Sequence, residues 1–288
     1  MKLRWFVLPI VFVLLPSMGW ANPQVTAVST VSLSRPHDVV LSPDGKRLYV
    51  ADLGNDEIKV LDADSLKPLG AFGGKILGSP HDVIFDARGR LLVADTDNAR
   101  IAIFAVEGGT GKMVGELKGL KSPEGVGVGP DGSVYVGDTG ANAVVRFDPA
   151  GNPRSVGRKG DGRLEFYRIH DVEVNAAGRV FVADPGNNRV QILTAELQFV
   201  LALEGPDYGL RQPKYLNFDD QGRLWVADQH NNRIVGLDGD FKPVLVLPTS
   251  EMKKAGMNLN LPEGVHAKAD KLWVSDTYNH RVVLFSLK

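Results

Sequence analysis

Short apolar runs alternate with polar turns along this chain, and one hydrophobic phrase returns six times. Each copy contains a short apolar run, an aspartate, a polar turn and a second apolar run, as in LLVADTDNARIAIF at Leu91–Phe104. Apolar runs of this length, bounded by Gly, Asn and Asp, are typical of buried β-strands. We therefore predict that every copy holds two adjacent strands joined by a tight turn.

The aspartate at the end of the first apolar run marks the period of the repeat. It recurs every 43 to 48 residues, at Asp52, Asp95, Asp138, Asp184, Asp228 and Asp276. A period in the forties, built from short strands, is typical of a β-propeller in which each repeat forms one blade. The sequence thus predicts an all-β, six-bladed β-propeller of four-stranded antiparallel blades around a central channel.

The two ends of the sequence predict how the ring closes. The chain stops at Lys288, directly after the third strand of the sixth repeat, so that blade lacks an outer strand. Residues 25–33, VTAVSTVSL, alternate as a strand does and precede the first blade. We predict that this N-terminal strand closes the last blade, because an unpaired sheet edge would otherwise be exposed.

Residues 1–21 are predicted to be a secretory signal peptide. A positively charged start precedes the apolar run Trp5–Leu15, which is too short for a membrane span, and Ala21 offers a cleavage site. Residues 22–288 would then form a single propeller domain in the periplasm or outside the cell, with no stable membrane insertion. The chain has no cysteine and a formal net charge of −1, so neither disulfides nor nucleic-acid binding is predicted.

The phrase Val-Ala-Asp-x-x-Asn-x-Arg and the lead-in GDGRLEF at Gly160–Phe166 resemble the NHL repeat. The resemblance covers all six copies and implies a six-bladed NHL propeller, but the family includes binding platforms and at least one enzyme. The periodic residues are interpreted as scaffold. We expect each aspartate to accept hydrogen bonds from the backbone of the turn that follows it, and the arginines to lie between blades.

The repeats differ in the residue that follows the lead-in to each inner strand. Across the six copies this residue is His37, His81, Glu124, His170, Lys214 and Glu263. Because each one starts an inner strand, all six should lie around the axis at one mouth of the channel. Imidazoles and carboxylates gathered in this way suit a small-ion or anion site. The alternative is that they only line a water-filled mouth.

We predict a metal site on alternate blades, formed by His81, His170 and Glu263. Two imidazoles and a carboxylate suit Zn²⁺ or Fe²⁺ with an open position, and zinc is the metal we expect. The ligand-binding residues are predicted to be His37, Glu124, Lys214 and Tyr215. The lysine cannot ligate a metal but can pair with Glu124 or hold an anionic substrate.

One NHL-fold enzyme, peptidyl-α-hydroxyglycine α-amidating lyase, resembles this pattern. Its zinc ligands are histidines in Pro-His lead-ins on alternate blades, which correspond to His81, His170 and Glu263, so this chain departs from it at the third position. That lyase also has a catalytic tyrosine just after a strand-end aspartate, in the blade before its second zinc histidine. Here the same blade continues from Asp138 with Thr139 and Gly140.

Two functions are compatible with these features. The first is an exported scaffold that binds a protein, peptide or glycan at its channel face, aided by the loop Leu247–Leu261 and by Tyr208, Tyr215 and His230, which we expect to be exposed. The second is a metal-dependent lyase or hydrolase in which Lys214 or His37 assists the ion. A lactonase of the gluconolactonase type is a weaker third interpretation. The sequence does not decide whether the protein is an enzyme.

Overall fold

The computed structural model describes residues 23–288, which form six four-stranded antiparallel sheets. The innermost strands of successive sheets contact one another in chain order, and the last contacts the first, so the sheets form a closed ring. This confirms the predicted all-β, six-bladed β-propeller. The predicted signal peptide, residues 1–21, lies outside the described residues.

The strands of each blade pair in chain order from the channel outward. The chain begins with β1 (Gln24–Val28). Blade 1 contains β2 (Pro36–Leu41), β3 (Arg47–Asp52), β4 (Glu57–Asp62) and β5 (Pro68–Phe72). Blade 2 contains β6 (Pro80–Phe85), β7 (Leu91–Asp95), β8 (Arg100–Glu107) and β9 (Thr110–Leu117). Blade 3 contains β10 (Pro123–Val128), β11 (Val134–Asp138), β12 (Ala143–Phe147) and β13 (Pro153–Val156).

A short parallel pair, β14 (Arg158–Lys159) and β15 (Glu165–Phe166), connects blades 3 and 4. Blade 4 contains β16 (Val172–Val174), β17 (Val180–Asp184), β18 (Arg189–Leu193) and β19 (Phe199–Leu203). Blade 5 contains β20 (Pro213–Phe218), β21 (Leu224–Asp228), β22 (Arg233–Leu237) and β23 (Pro243–Leu247), and is followed by the helix α1 (Ser250–Lys254). Blade 6 contains β24 (Val265–Lys268), β25 (Lys271–Asp276) and β26 (Arg281–Ser286).

The ring is closed by pairing of the two ends of the described chain. Strand β1 pairs antiparallel with β26, with Gln24 opposite Ser286 and Val28 opposite Val283. The N-terminal strand therefore supplies the fourth strand of blade 6, as predicted. It is shorter than the expected segment 25–33, although the backbone N–H of Ser29 still donates to the carbonyl of Val282 at 2.9 Å.

Apolar side chains are buried between neighbouring blades. Every residue of β7, β17 and β21 is buried, because a second strand is covered on both faces by the adjacent blades. A representative cluster joins Tyr215 and Trp225 of blade 5 to Leu272 and Phe285 of blade 6. These contacts fix the position of each inner strand relative to the next. None of the helices in residues 23–288 is long and apolar enough to cross a membrane.

The strand-end aspartate joins the turn of its blade to the segment that enters the blade. Asp228 accepts from the backbone N–H of Arg211, 17 residues earlier, at 2.7 Å, and from the side chains of Asn231 and Arg233 at 2.7 and 2.5 Å. Asp95, Asp184 and Asp276 repeat this arrangement.

Our expectation that the aspartate bonds the backbone of the following turn was therefore wrong. The N–H at the end of that turn bonds within the turn itself, which forms 3₁₀ helices at Leu53–Asn55, Thr96–Asn98, Pro185–Asn187, Gln229–Asn231 and Thr277–Asn279. The carboxylate is thus available to the entering segment. Each arginine bonds the aspartate of its own blade and a backbone carbonyl of the segment that enters that blade, as Arg233 does with Asp228 and Tyr208.

Candidate metal and ligand site in the central channel

The residues that vary between repeats meet at one end of the channel. Four are the second residues of inner strands and two lie just before them: His37, His81, Glu124 and Lys214, then His170 and Glu263. In β2, β6, β10 and β20 the pairing register shifts at this point. Such a bulge re-aims the local side chains, which explains how they reach the axis.

Three imidazoles form the centre of this group. Potential ligand atoms of His37, His81 and His170 all lie within 4.8 Å of one another. The ring centroids are 4.7 Å apart for His37 and His81, 5.8 Å for His81 and His170, and 6.0 Å for His37 and His170. The structure therefore adds His37, expected to bind ligand, to the two histidines expected to bind metal.

Glu263, the third residue of the predicted metal site, lies beside two of these imidazoles. Its Oε2 atom is 3.1 Å from Nδ1 of His37 and 3.5 Å from Nε2 of His170. Its Oε1 atom accepts a hydrogen bond from the side-chain amide of Gln229 at 2.5 Å. Glu124 contributes a second carboxyl, 3.6 Å from Nε2 of His170. The cluster therefore offers three nitrogen ligands with carboxylate oxygens next to them.

Burial keeps the imidazoles neutral. It lowers the pKa of His37 and of His81 to about 3, and it lowers the pKa of His170 well below its usual range, with the charge of Lys214 acting in the same direction on all three. The short contact between His37 and Glu263 is consequently not an ion pair at neutral pH. Neutral imidazole is the form that binds a metal, so no proton has to leave these rings first.

The orientation of His81 is fixed by its surroundings. Its Nδ1 atom lies 2.9 Å from the carbonyl oxygen of Ser79 and 2.8 Å from Oγ1 of Thr96, whose hydroxyl donates to the carbonyl of Pro123 at 2.6 Å. A carbonyl oxygen can only accept, so the ring proton is on Nδ1 and the lone pair is on Nε2. A second group that holds the ring in this way is characteristic of metal-binding histidines.

Thr96 and Gln229 were not identified from the sequence. Both occupy the position directly after the strand-end aspartate, where the six copies have Leu53, Thr96, Thr139, Pro185, Gln229 and Thr277. Variation at a fixed position of the repeat is the same signal that identified the histidines. It would have found these two residues if the comparison had been extended past the aspartate.

Three buried polar atoms of the site make no hydrogen bond of good geometry, although two of them, Nδ1 of His37 and Oε2 of Glu263, are 3.1 Å apart. Within residues 23–288, Nδ1 of His37, Nδ1 of His170 and Oε2 of Glu263 make no hydrogen bond, although they are buried. Buried polar atoms in proteins are nearly always bonded. Zinc binds nitrogens at about 2.0–2.1 Å in a tetrahedral arrangement, so its ligands lie about 3.4 Å apart. The ligand atoms lie within 4.8 Å of one another here, so they would have to move closer by about 1 Å, and three neutral imidazoles are a donor set that suits a divalent cation of this kind.

Tyr215 supports the cluster from below. Its hydroxyl donates to the backbone carbonyl of His81 at 2.7 Å, and its ring meets the ring of His170 edge to face at 4.8 Å. The side chain is 1% exposed, so our expectation that Tyr215 is exposed was wrong. It holds two of the histidines in place, and contact between Tyr215 and a ligand stays a prediction.

A layer of three aspartates forms the floor of the site. Asp82 accepts from the backbone N–H of Val126 at 2.6 Å, and Asp171 accepts from that of Leu216 at 2.7 Å, so each joins its inner strand to the next blade. Burial raises the pKa of Asp82 to about 6, and burial with neighbouring carboxyls raises the pKa of Asp38 well above its usual range. Below this layer the channel continues as a cavity of about 300 Å³.

The loop expected to bind a partner buries most of its apolar side chains and exposes most of its polar ones. Within Leu247–Leu261, the side chain of Met252 is buried and packs with Leu247 and Leu259 between blades 5 and 6. Tyr208 is partly buried against the core between blades 4 and 5, whereas His230 is exposed as expected. Most of the apolar side chains of this loop are therefore not available to a partner.

The fold and this site define a six-bladed β-propeller with a cluster of imidazoles and carboxylates at one mouth of its channel. A family profile, the NHL repeat, matches residues 77–104 and 166–193. The chain therefore contains NHL repeats within a six-bladed propeller. NHL-repeat-containing protein 4 of Mus musculus is 29% identical to it over 123 residues, which cover 43% of this chain and 89% of the mouse protein.

The chain is also similar to a second protein in sequence and to a solved structure in fold. Peptidyl-glycine alpha-amidating monooxygenase B of Xenopus laevis is 27% identical over 150 residues, which are 48% of this chain but only 17% of the frog protein. The crystal structure of an auxiliary nutrient binding protein from Bacteroides thetaiotaomicron superposes with a TM-score of 0.67, covering 88% of this chain and 69% of that one. At 12% sequence identity, the second similarity concerns the fold alone.

Proposed function

We propose that this propeller is an exported binding protein that holds a divalent metal ion at the mouth of its channel and binds its ligand there. His37, His81 and His170 would hold the ion, and zinc is the metal that three imidazoles suit best. Glu263, one of the sequence-predicted ligands, would lie next to it. When bound, the ion would attract an oxygen or nitrogen atom of the ligand to its open side.

The observation that carries this proposal is the cluster of three neutral imidazoles with unpartnered polar atoms beside it. A merely structural cluster would be expected to satisfy its buried nitrogens and oxygens internally. Instead, Ser79 and Thr96 hold His81 with its Nε2 lone pair free, and Tyr215 packs against His170. These contacts hold the rings in position to receive an ion, and Tyr215 also packs in the core between blades 5 and 6.

A binding role is supported by the similarity in fold to a nutrient-binding protein. The predicted ligand classes are a protein, a peptide, a glycan or a small molecule. Export to the periplasm or the medium is supported by the predicted signal peptide in residues 1–21. N-terminal sequencing of protein recovered from the periplasmic or culture fraction would be expected to begin at Asn22, and full-length protein in the cytoplasm would contradict export.

A second candidate function is a metal-dependent lyase or hydrolase. It is favoured by Glu124, because burial raises the pKa of this carboxyl to about 7 and it lies 3.6 Å from His170. A group that titrates near neutral pH can take a proton from a ligand and return it. Glu124 is partly exposed to the channel, so it can be reached from the mouth. The tyrosine that the related lyase uses has no counterpart after Asp138.

Metal analysis of the purified protein tests the proposal. We expect one zinc ion per chain, and its loss in each of the variants His37→Ala, His81→Ala and His170→Ala. His230→Ala is the matched control, because this histidine is exposed and lies outside the cluster. Circular dichroism would establish that each variant is folded. A wild-type protein that takes up no zinc from a micromolar solution, or cluster variants that retain it, would contradict the proposal.

A further inference from the structure

We propose that the ligand bound at this mouth is an oxyanion, a carboxylate or a phosphate, held between the histidine cluster and the ammonium group of Lys214. The inference rests on the proposed function in one respect, namely that a divalent ion occupies the cluster. It adds the chemical class of the ligand and the residue that selects it.

Lys214 is a buried cation without a direct partner. It is the second residue of β20 in blade 5, and its side chain is 8% exposed. Among residues 23–288 it makes no hydrogen bond and no ion pair, and the carboxylates of Glu263 and Glu124 act on it only through longer-range attraction. Its Nζ atom is not among the fully buried atoms that lack a hydrogen bond in residues 23–288, so it is accessible from the channel and can be reached there. An anion that enters the mouth would supply the missing partner.

The charge of the site with an ion bound points the same way. The three imidazoles are neutral, and two carboxyl groups face one ammonium. At the mouth itself, above the layer of Asp38, Asp82 and Asp171, a divalent cation and Lys214 outweigh the two ionised glutamates by one positive charge. A partly buried site with excess positive charge favours an anionic ligand.

Two arginines at the rim extend this field. Arg35 lies in blade 1 and its charge acts on His37 and Glu263, whereas Arg168 lies in blade 4 and acts on His170 and Lys214. Blades 1 and 4 are opposite each other in a ring of six, so the two cations flank the mouth. The equivalent residues of the other repeats are uncharged: Ser79, Ser122, Gln212 and Leu261. The repeat itself therefore does not require an arginine at this position.

The expected binding mode uses two oxygens of one group. One oxygen of the anion would face the open side of the ion, and another would accept from the ammonium of Lys214. Carboxylates and phosphates both offer two such oxygens, and hydrogen bonds between ionised groups are the strong ones. The lysine would then decide affinity, because the rim arginines remain in water and are screened.

Binding of simple anions to cobalt-loaded protein tests this inference. Co²⁺ substitutes for zinc and gives a visible spectrum that changes when a ligand reaches the ion, so loading and anion binding are read separately. Acetate and inorganic phosphate are titrated in parallel. We expect at least one of them to change the spectrum. Tighter binding of acetate would indicate a carboxylate ligand, and tighter binding of phosphate would indicate a phosphate ester.

The variant Lys214→Met should bind the preferred anion roughly 10- to 100-fold more weakly, which is the range for the loss of a hydrogen bond to a charged group. Arg168→Gln, on the exposed rim, should lower the affinity for this anion by about two- to fivefold. Arg154→Ala is the matched control, because it removes one exposed positive charge from β13, the outer strand of blade 3, and should leave the affinity unchanged. Circular dichroism confirms folding, and Arg168→Gln keeps the test valid if Lys214→Met does not fold.

The outcomes separate the two proposals. A protein that takes up no Co²⁺ or zinc overturns the proposed function and this inference with it. A loaded protein whose spectrum neither anion changes overturns the oxyanion inference and leaves the metal site in place. The oxyanion inference is also overturned if folded Lys214→Met binds the anion as tightly as the control. If Lys214→Met does not fold, the deciding result is an unchanged affinity in Arg168→Gln.

Discussion

The affinity of the cluster for zinc or Co²⁺ should hardly change between pH 7.5 and pH 5.5. Protons ordinarily compete with metals for imidazole nitrogens, and an exposed histidine has a pKa of about 6.5. Here burial lowers the pKa of His37 and of His81 to about 3, and that of His170 well below its usual range. All three rings stay neutral across this pH window.

The size of the effect follows from the protonated fraction of each ring. At pH 5.5 a histidine with a pKa of about 6.5 is roughly 90% protonated, which weakens metal binding about tenfold relative to pH 7.5. Three such histidines would weaken it about 1,000-fold. With a pKa of about 3, less than 1% of a ring is protonated at pH 5.5, so the change should stay below about twofold.

Direct titration with Co²⁺, followed by its visible absorption at both pH values, measures this difference. A 100-fold or greater weakening at pH 5.5 would refute the argument that burial keeps the rings neutral. The variant Glu263→Gln then separates the two possible ligand sets. If His37, His81 and His170 bind the ion, affinity changes only a few-fold. If the predicted set with Glu263 binds it, affinity falls steeply, and wild-type affinity also falls as pH drops through the raised pKa of Glu263.

Three further predictions concern stability and the supports of the site. In metal-free protein, His37 and His81 favour unfolding as pH falls from about 6.5 toward 3, because the unfolded chain binds protons that the fold excludes, whereas buried carboxyls with a raised pKa, such as Asp82 and Glu124, act in the opposite direction. The difference in urea-unfolding stability between wild type and His81→Ala should therefore shrink by about 1.4 kcal/mol per pH unit below about pH 6.5, and a difference that stays constant from pH 7 to 5 would contradict this. Gly264→Ala should destabilise the fold by about 1–3 kcal/mol, since its Cβ would lie 2.3 Å from the carbonyl oxygen of His37, whereas Gly239→Ala, with no atom within 4 Å, should be neutral in thermal unfolding. Thr96→Val should weaken zinc binding about tenfold and also lower the melting temperature, because the buried carbonyl of Pro123 loses its donor; an unchanged zinc affinity by calorimetry would exclude an orienting role.

The fold could be predicted because every level of the sequence agrees with it. The apolar run Leu91–Ala94 is buried on both faces, the aspartate that follows it recurs in each repeat, and the alternating N-terminal segment completes the last blade. The partners of the aspartate could not be predicted in the same way. Asp228 bonds Arg211, 17 residues earlier, and such a contact depends on how the entering segment packs.

The sequence predicted that the variable residues meet at one mouth of the channel, and they do; which of them bind a metal stays a prediction. His81, His170 and Glu263 were grouped because they stand on alternate blades. The channel is narrow enough for residues of opposite blades to meet as well. His37 and His170 lie on opposite blades, yet their rings are 6.0 Å apart, against 5.8 Å for His81 and His170. When side chains meet across the axis, their length and tilt decide which of them touch.

The narrowness of the mouth itself has a cause in the sequence. The position after the variable residue has a side chain in four repeats and a glycine in two, Gly125 and Gly264. A Cβ on Gly125 would lie 2.7 Å from the carbonyl oxygen of His170, and one on Gly264 would lie 2.3 Å from that of His37. These glycines are on opposite blades, 3 and 6, and each lets the next blade approach its own inner strand. The approach brings Glu124 to His170 and Glu263 to His37. The site therefore depends on the two glycines, which lack a side chain, as directly as on the histidines and glutamates that line it.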